Sequence, residues 1–70
     1  MKYAVVIEPS PDGSWWAYVP DLPGCTSAGT TPDEARSNIK EAIESHLESL
    51  RDHNEPVPAA VTRVTEVEAA

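Results

Sequence analysis

Apolar and polar positions alternate with a period of two near the start of the chain. In residues 2–8, Tyr3, Val5 and Ile7 share one face and Ala4 and Val6 the other. Both faces are apolar, which predicts a central strand covered on both sides. Residues 14–19 carry the same signature, with Trp15, Ala17 and Val19 on one face and Trp16 and Tyr18 on the other. Between them Pro9-Ser10-Pro11-Asp12-Gly13 supplies an Asp-Gly pair able to take left-handed geometry, so the two strands are expected to form a hairpin. A brief third strand of small residues, 25–28, is expected to run back beside the second.

The second strand ends in a corner. Pro20 and Pro23 fix φ and remove two amide donors, while Gly24 accepts the positive φ that other residues resist. These three residues end one strand and aim the next. With Asp21 and Leu22 at its tip, the stiffened corner is also a candidate contact surface, because a preordered loop loses less entropy on association.

Beyond it the period changes to that of a helix. Thr31 is placed as N-cap, Pro32 as first helical residue, Asp33 beside the positive end of the macrodipole, and Glu34 to close a capping box. Ala35, Ile39, Ala42, Ile43, His46, Leu47 and Leu50 form a stripe facing a sheet. Arg36, Lys40, Glu41, Glu44, Glu48 and Asp52 face water. The helix should end near His53 and Asn54, since Asn tolerates the left-handed region and Pro56 and Pro58 forbid continuation. Residues 61–67 are rich in Val and Thr and are read as a last strand, although Val61, Val64 and Val67, three apart, also suit a short helix. The expected fold class is α+β in the order β-β-β-α-β. A right-handed crossover places the last strand parallel beside the first, giving a four-stranded, mostly antiparallel sheet ordered 3-2-1-4 with one long helix on one face.

Pro20-Asp21-Leu22-Pro23-Gly24-Cys25, an aromatic strand before it, Gly29-Thr30-Thr31-Pro32-Asp33-Glu34-Ala35 after it, and Lys40-Glu41-Ala42-Ile43 within the helix closely resemble the HicB-like antitoxin family across residues 2–53. The resemblance implies a truncated ribonuclease H-like sheet and an antitoxin that binds and silences a small HicA-type, RNA-cleaving toxin. Many members of that family add a C-terminal DNA-binding domain. Only Ala69 and Ala70 follow the last expected strand here, so a single antitoxin domain spanning 1–70 is expected, with no separate DNA-binding domain.

Composition narrows the function further. A domain of 70 residues buries only about 60% of its unfolded surface, so a partner or a second copy would help to stabilise it. Twelve acids against five bases give a net charge of −7, which disfavours direct nucleic-acid binding and favours a basic protein partner. There is no charged leader, and no apolar run approaches ~20 residues. The expectation is a cytoplasmic protein without membrane contact. The lone Cys25 forms no internal disulfide. No cofactor or small-molecule substrate is expected in so short a chain.

Candidate chemistry is sparse. Two-metal hydrolysis needs several converging carboxylates, yet the first strand offers only Glu8, and Asp12 and Asp21 lie in turns where Asp is common for local hydrogen bonding. His46 and His53 are seven apart, wider than the usual ligand pair on a helix. Cys25 and Thr26 have no histidine near in sequence. No catalytic or metal residue is assigned, and the chain is read as a non-enzyme.

The remaining candidates are aromatic. Whichever of Trp15 or the Trp16/Tyr18 pair lies opposite the helix is the expected interface with a toxin or with another protomer, joined by Asp21 and Leu22. Unpaired strand edges also predict a homo-oligomer, a dimer or a higher multiple. The alternative to the toxin-binding antitoxin is an orphan homo-oligomeric regulatory module of the same fold.

Overall fold

The hairpin, the corner and the capped helix all form. In the computed structural model, which describes all 70 residues, β1 (Val6–Pro9), β2 (Trp15–Tyr18) and β3 (Thr26–Gly29) make one antiparallel sheet ordered β1-β2-β3. Helix α1 (Pro32–Asp52) lies across one face of it. Val6 pairs with Tyr18 and Ile7 with Ala17, while Ala17 pairs with Ser27 on its other side.

The first strand is shorter than the alternation predicts. Its partner β2 stops at Tyr18, so Tyr3 and Val5 have no residue opposite them in the ladder. They still pack against the core with Ile7. Around the corner, Val19 N–H donates to the Cys25 carbonyl, Leu22 N–H to the Val19 carbonyl and Cys25 N–H to the Leu22 carbonyl. Gly24, at φ 82°, supplies the left-handed residue this set of turns requires.

Both ends of α1 are closed by the residues placed there. Glu34 N–H donates to Thr31 Oγ1 at 3.1 Å, and Thr31 is extended at φ −135°, ψ 161°. The return half of the expected box is displaced by one residue: the Glu34 carboxylate accepts from Thr30 N–H at 3.0 Å. At the other end Asn54 takes φ 55°, its N–H donates to the Arg51 carbonyl, and Glu55 N–H donates to the Leu50 carbonyl. That pair of bonds is the Schellman pattern, with Asn in the place more often taken by Gly.

The fully buried core is Ala17, Val19, Leu22, Cys25, Ala35 and Ile39. Of the helical stripe only Ala35 and Ile39 are completely covered. Ala42, Ile43, His46, Leu47 and Leu50 are half-buried. The helix begins tight against β3, where Asn38 Nδ2 donates to the Ala28 carbonyl at 2.8 Å. Its second half overhangs β1, leaving a groove of about 590 Å³.

The expected fourth strand is absent, a correction to the four-stranded 3-2-1-4 order. Residues 54–70 contain neither strand nor helix. Local composition favoured a strand, but the tail is held in another course. The Tyr3 hydroxyl donates to the Pro58 carbonyl at 2.7 Å, and the Asp21 carboxylate takes the amides of Val61 and Thr62 at 3.0 and 2.9 Å. These contacts carry the chain across the end of the sheet toward the β2 corner and away from the outer edge of β1. Val61, Val64 and Val67 are 72%, 72% and 83% exposed. The radius of gyration of 13.5 Å exceeds the roughly 11 Å of a compact chain this long, consistent with an extended terminal arm.

Candidate functional site

The pairing register decides which aromatic face is free. Trp15, Ala17 and Val19 point toward α1, and Trp15 packs against the core. Trp15 therefore stands on the covered side and is removed from the expected interface. Trp16 and Tyr18 occupy the face that the helix leaves bare. Their rings stack with centroids 4.9 Å apart and planes 28° from parallel, an arrangement the ring quadrupoles favour. Trp16 remains 39% exposed.

Glu8 and Val6 flank this pair from β1, opposite Trp16 and Tyr18 respectively, while Ala28 and Thr26 flank it from β3. Where β2 runs into the corner, Trp16, Tyr18, Pro20, Pro23 and Thr26 border a shallow depression of about 360 Å³. The bare face thus offers an apolar aromatic shelf, one carboxylate beside it, and a stiff proline rim. Such a surface can take a protein side chain or loop.

Leu22 requires a correction. It was expected at the exposed tip of the corner, but it is 0% exposed and is among the largest fully buried side chains. The turns fold it inward beneath the corner, where it fills the space between Val19, Cys25 and the helix. Pro20, Pro23 and Gly24 shape the corner around it.

Asp21 has a different employment from the contact role expected of it. Oδ2 accepts the amides of Val61 and Thr62, and Oδ1 accepts the Thr62 hydroxyl at 2.7 Å. The hydrogen bonds from Thr62, amide first and hydroxyl second, hold its carboxyl below the ordinary value of 3.8, with Val61 adding to the effect. Sequence reasoning missed this latch because its partners lie 40 and 41 positions away.

A group whose folded pKa is depressed contributes its bonding above the unfolded value and loses it as pH falls through the folded one. The latch should hold at neutral pH and open only in acid below about 3.8. Asp21→Ala should open it at every pH. In that variant the Val61 and Thr62 amides should exchange with solvent as fast as unstructured chain, while amides of α1 keep their protection. Retained protection at both tail amides would refute the latch.

The other candidates have local roles. Asp12 Oδ1 accepts Ser14 N–H at 3.0 Å and the Ser14 hydroxyl at 2.6 Å, which pins the hairpin loop and lowers the Asp12 pKa. His53 caps α1, its Nδ1 lying 2.8 Å from the Ser49 carbonyl, so that nitrogen carries the proton. Burial raises the Cys25 thiol, making it a poorer nucleophile. No three His, Cys, Asp or Glu side chains gather in a way that would hold a metal ion. No helix is long and apolar enough to cross a membrane.

A statistical profile described as "HicB_like antitoxin of bacterial toxin-antitoxin system" matches residues 3–70. The chain belongs to the HicB-like antitoxin family. Among its relatives, a UPF0150 protein of Thermoplasma acidophilum is 52% identical over 58 residues, covering 83% of this chain and 84% of the relative. A UPF0150 protein of Synechocystis is 48% identical over 57 residues, or 81% of this chain and 72% of that one. The crystal structure of the N-terminal domain of the Burkholderia pseudomallei antitoxin HicB superposes with a TM-score of 0.80 at 32% identity, over 90% of this chain and 74% of that one. The three antiparallel strands beneath one helix match the fold of that domain.

Proposed function

We propose that this HicB-like chain is a non-catalytic antitoxin that binds a small, basic, RNA-cleaving toxin of the HicA type and silences it by covering its catalytic and RNA-binding surface. The observation that carries the reading is the stacked Trp16 and Tyr18 pair on the helix-free face of the sheet. Stacking restrains both rings before contact, so little rotamer freedom is lost on docking. Large aromatics of this kind dominate the energy of protein interfaces. The net charge of −7 is opposite in sign to that expected of a protein that must hold RNA phosphates, and it steers the encounter. Inhibition is steric and electrostatic and takes place in the cytoplasm, where the toxin meets its RNA.

The test is calorimetric titration of the chain with the toxin-like product of the adjacent reading frame. Trp16→Ala should weaken the complex by about 30-fold, equivalent to about 2 kcal/mol, with a smaller loss for Tyr18→Ala. Circular dichroism should report an intact fold, because both side chains lie outside the core. Unchanged affinity in folded variants would remove the aromatic face from the interface. Failure of the unaltered chain to bind would remove the antitoxin reading itself.

The unpaired edge of β1 favours a second reading, an orphan regulatory module that binds only copies of itself. A neighbouring frame encoding a small basic protein supports the first reading, and its absence supports the second.

A further inference from the structure

We infer that residues 63–69 form the missing fourth strand on a second copy of the chain, pairing parallel to its β1 along the groove between β1 and α1. This self-association goes beyond the toxin-binding reading, since it uses the opposite side of the molecule from Trp16 and Tyr18.

The acceptor is an open edge over an apolar trough. β1 is terminal in the sheet, and the trough beside it is floored by Tyr3, Val5 and Ile7 and walled by Ile39, Ile43 and Leu47. The opposite edge is less accessible, because α1 sits directly on β3 and Asn38 occupies the Ala28 carbonyl. An unpaired edge with an apolar flank is the usual substrate for strand addition.

The donor is the terminal arm. It is rich in Val and Thr, extended, and leaves Val64 and Val67 in water. The Asp21 latch directs it past its own β1 toward the β2 corner. With the latch closed, the edge it can meet belongs to another molecule.

Charge sets the direction of pairing. Helix α1 starts beside the Gly29 end of β3, at the Pro9 end of the sheet, and finishes near Tyr3, so it runs antiparallel to β1. Along the groove from Tyr3 toward Pro9 the helix therefore presents Leu47, Ile43, Lys40 and Arg36 in that order. A parallel arm presents Val64, Glu66 and Glu68 in matching order on one face. Alternate strand residues lie about 6.6 Å apart and helix residues four apart about 6 Å. Glu66 and Glu68 consequently meet Lys40 and Arg36 together while Val64 enters the trough beside Ile43. An antiparallel arm would reverse that order, carrying both glutamates toward Glu44 and leaving Lys40 and Arg36 without partners.

The test is a charge swap in the full-length chain, read by analytical ultracentrifugation at low salt. Arg36→Glu/Lys40→Glu and Glu66→Lys/Glu68→Lys alter only exposed side chains, and each sets like charges together at the interface. Each variant alone should self-associate at least about tenfold more weakly than the unaltered chain, because like charges in contact oppose binding. A one-to-one mixture should recover the affinity, since each arm then meets a groove of opposite sign. In the unaltered chain, amides of residues 2–5, which lie outside the β1–β2 ladder, and of residues 63–69 should lose hydrogen-exchange protection together on dilution. The inference is overturned if the unaltered chain is monomeric at millimolar concentration, if either variant alone associates as tightly as the original, or if mixing restores nothing. The last outcome would point to an arm that folds back on its own β1. All three leave the toxin titration unaffected.

Discussion

Truncating Leu22 to alanine should destabilise the domain by about 2–5 kcal/mol, the range for removing a completely buried leucine. A chain of 70 residues has a total stability on the order of 3.5–10 kcal/mol, so Leu22→Ala should remove a large share of it. The cost is high because Leu22 is 0% exposed, and the corner around it is tied by three backbone hydrogen bonds that resist collapse into the cavity. Urea denaturation followed by tryptophan fluorescence measures it. A loss below about 1 kcal/mol would mean that the corner relaxes into the space and that the side chain is less central than its burial implies.

Gly29→Ala should be comparably damaging, by overpacking instead of by a void. A Cβ at this position would stand 2.5 Å from the Ala35 nitrogen and 2.9 Å from the Glu34 carbonyl carbon. Both are backbone atoms in the first turn of α1, so no side-chain rotation relieves the clash. The helix must lift from β3, straining the Asn38 contact with Ala28. A loss of about 1–3 kcal/mol is expected. Gly13→Ala is the control: no atom lies within 4 Å of its Cβ, but φ is +89°, so it should show only the smaller backbone strain of about 1–2 kcal/mol. If Gly29→Ala melts at the original temperature, the close approach of α1 to β3 is not a constraint.

Both positions owe their importance to tertiary contacts. Nothing in the residues around Gly29 signals that a helix backbone comes within contact distance of it. Leu22 lies between Pro20 and Pro23, and local sequence alone places it at the tip of the corner. The corner residues predicted that the chain turns, but which side chain turns inward depends on the space beneath, and that space is enclosed by a helix that starts ten positions later.

The aromatic face was legible only as a choice. Period-two alternation separates Trp15 from Trp16 and Tyr18 with certainty, because successive side chains point to opposite sides of a strand. It does not say which side the helix takes. Packing of α1 against Ala17 and Trp15 settled that, and with it which rings are free to meet another protein.

Short-range physics determined the hairpin, the stiff corner, both caps of α1 and the period of its apolar stripe, since each depends on residues within a few positions of one another. Family membership was readable for the same reason, being carried by the spacing of Pro, Gly and Thr through the corner and the helix start. Tertiary structure alone decided the fate of residues 61–67. Their Val and Thr content suits a strand, but a strand needs an edge to pair with, and the Asp21 carboxylate, 40 residues earlier, holds the amides of Val61 and Thr62 and carries the arm past its own β1.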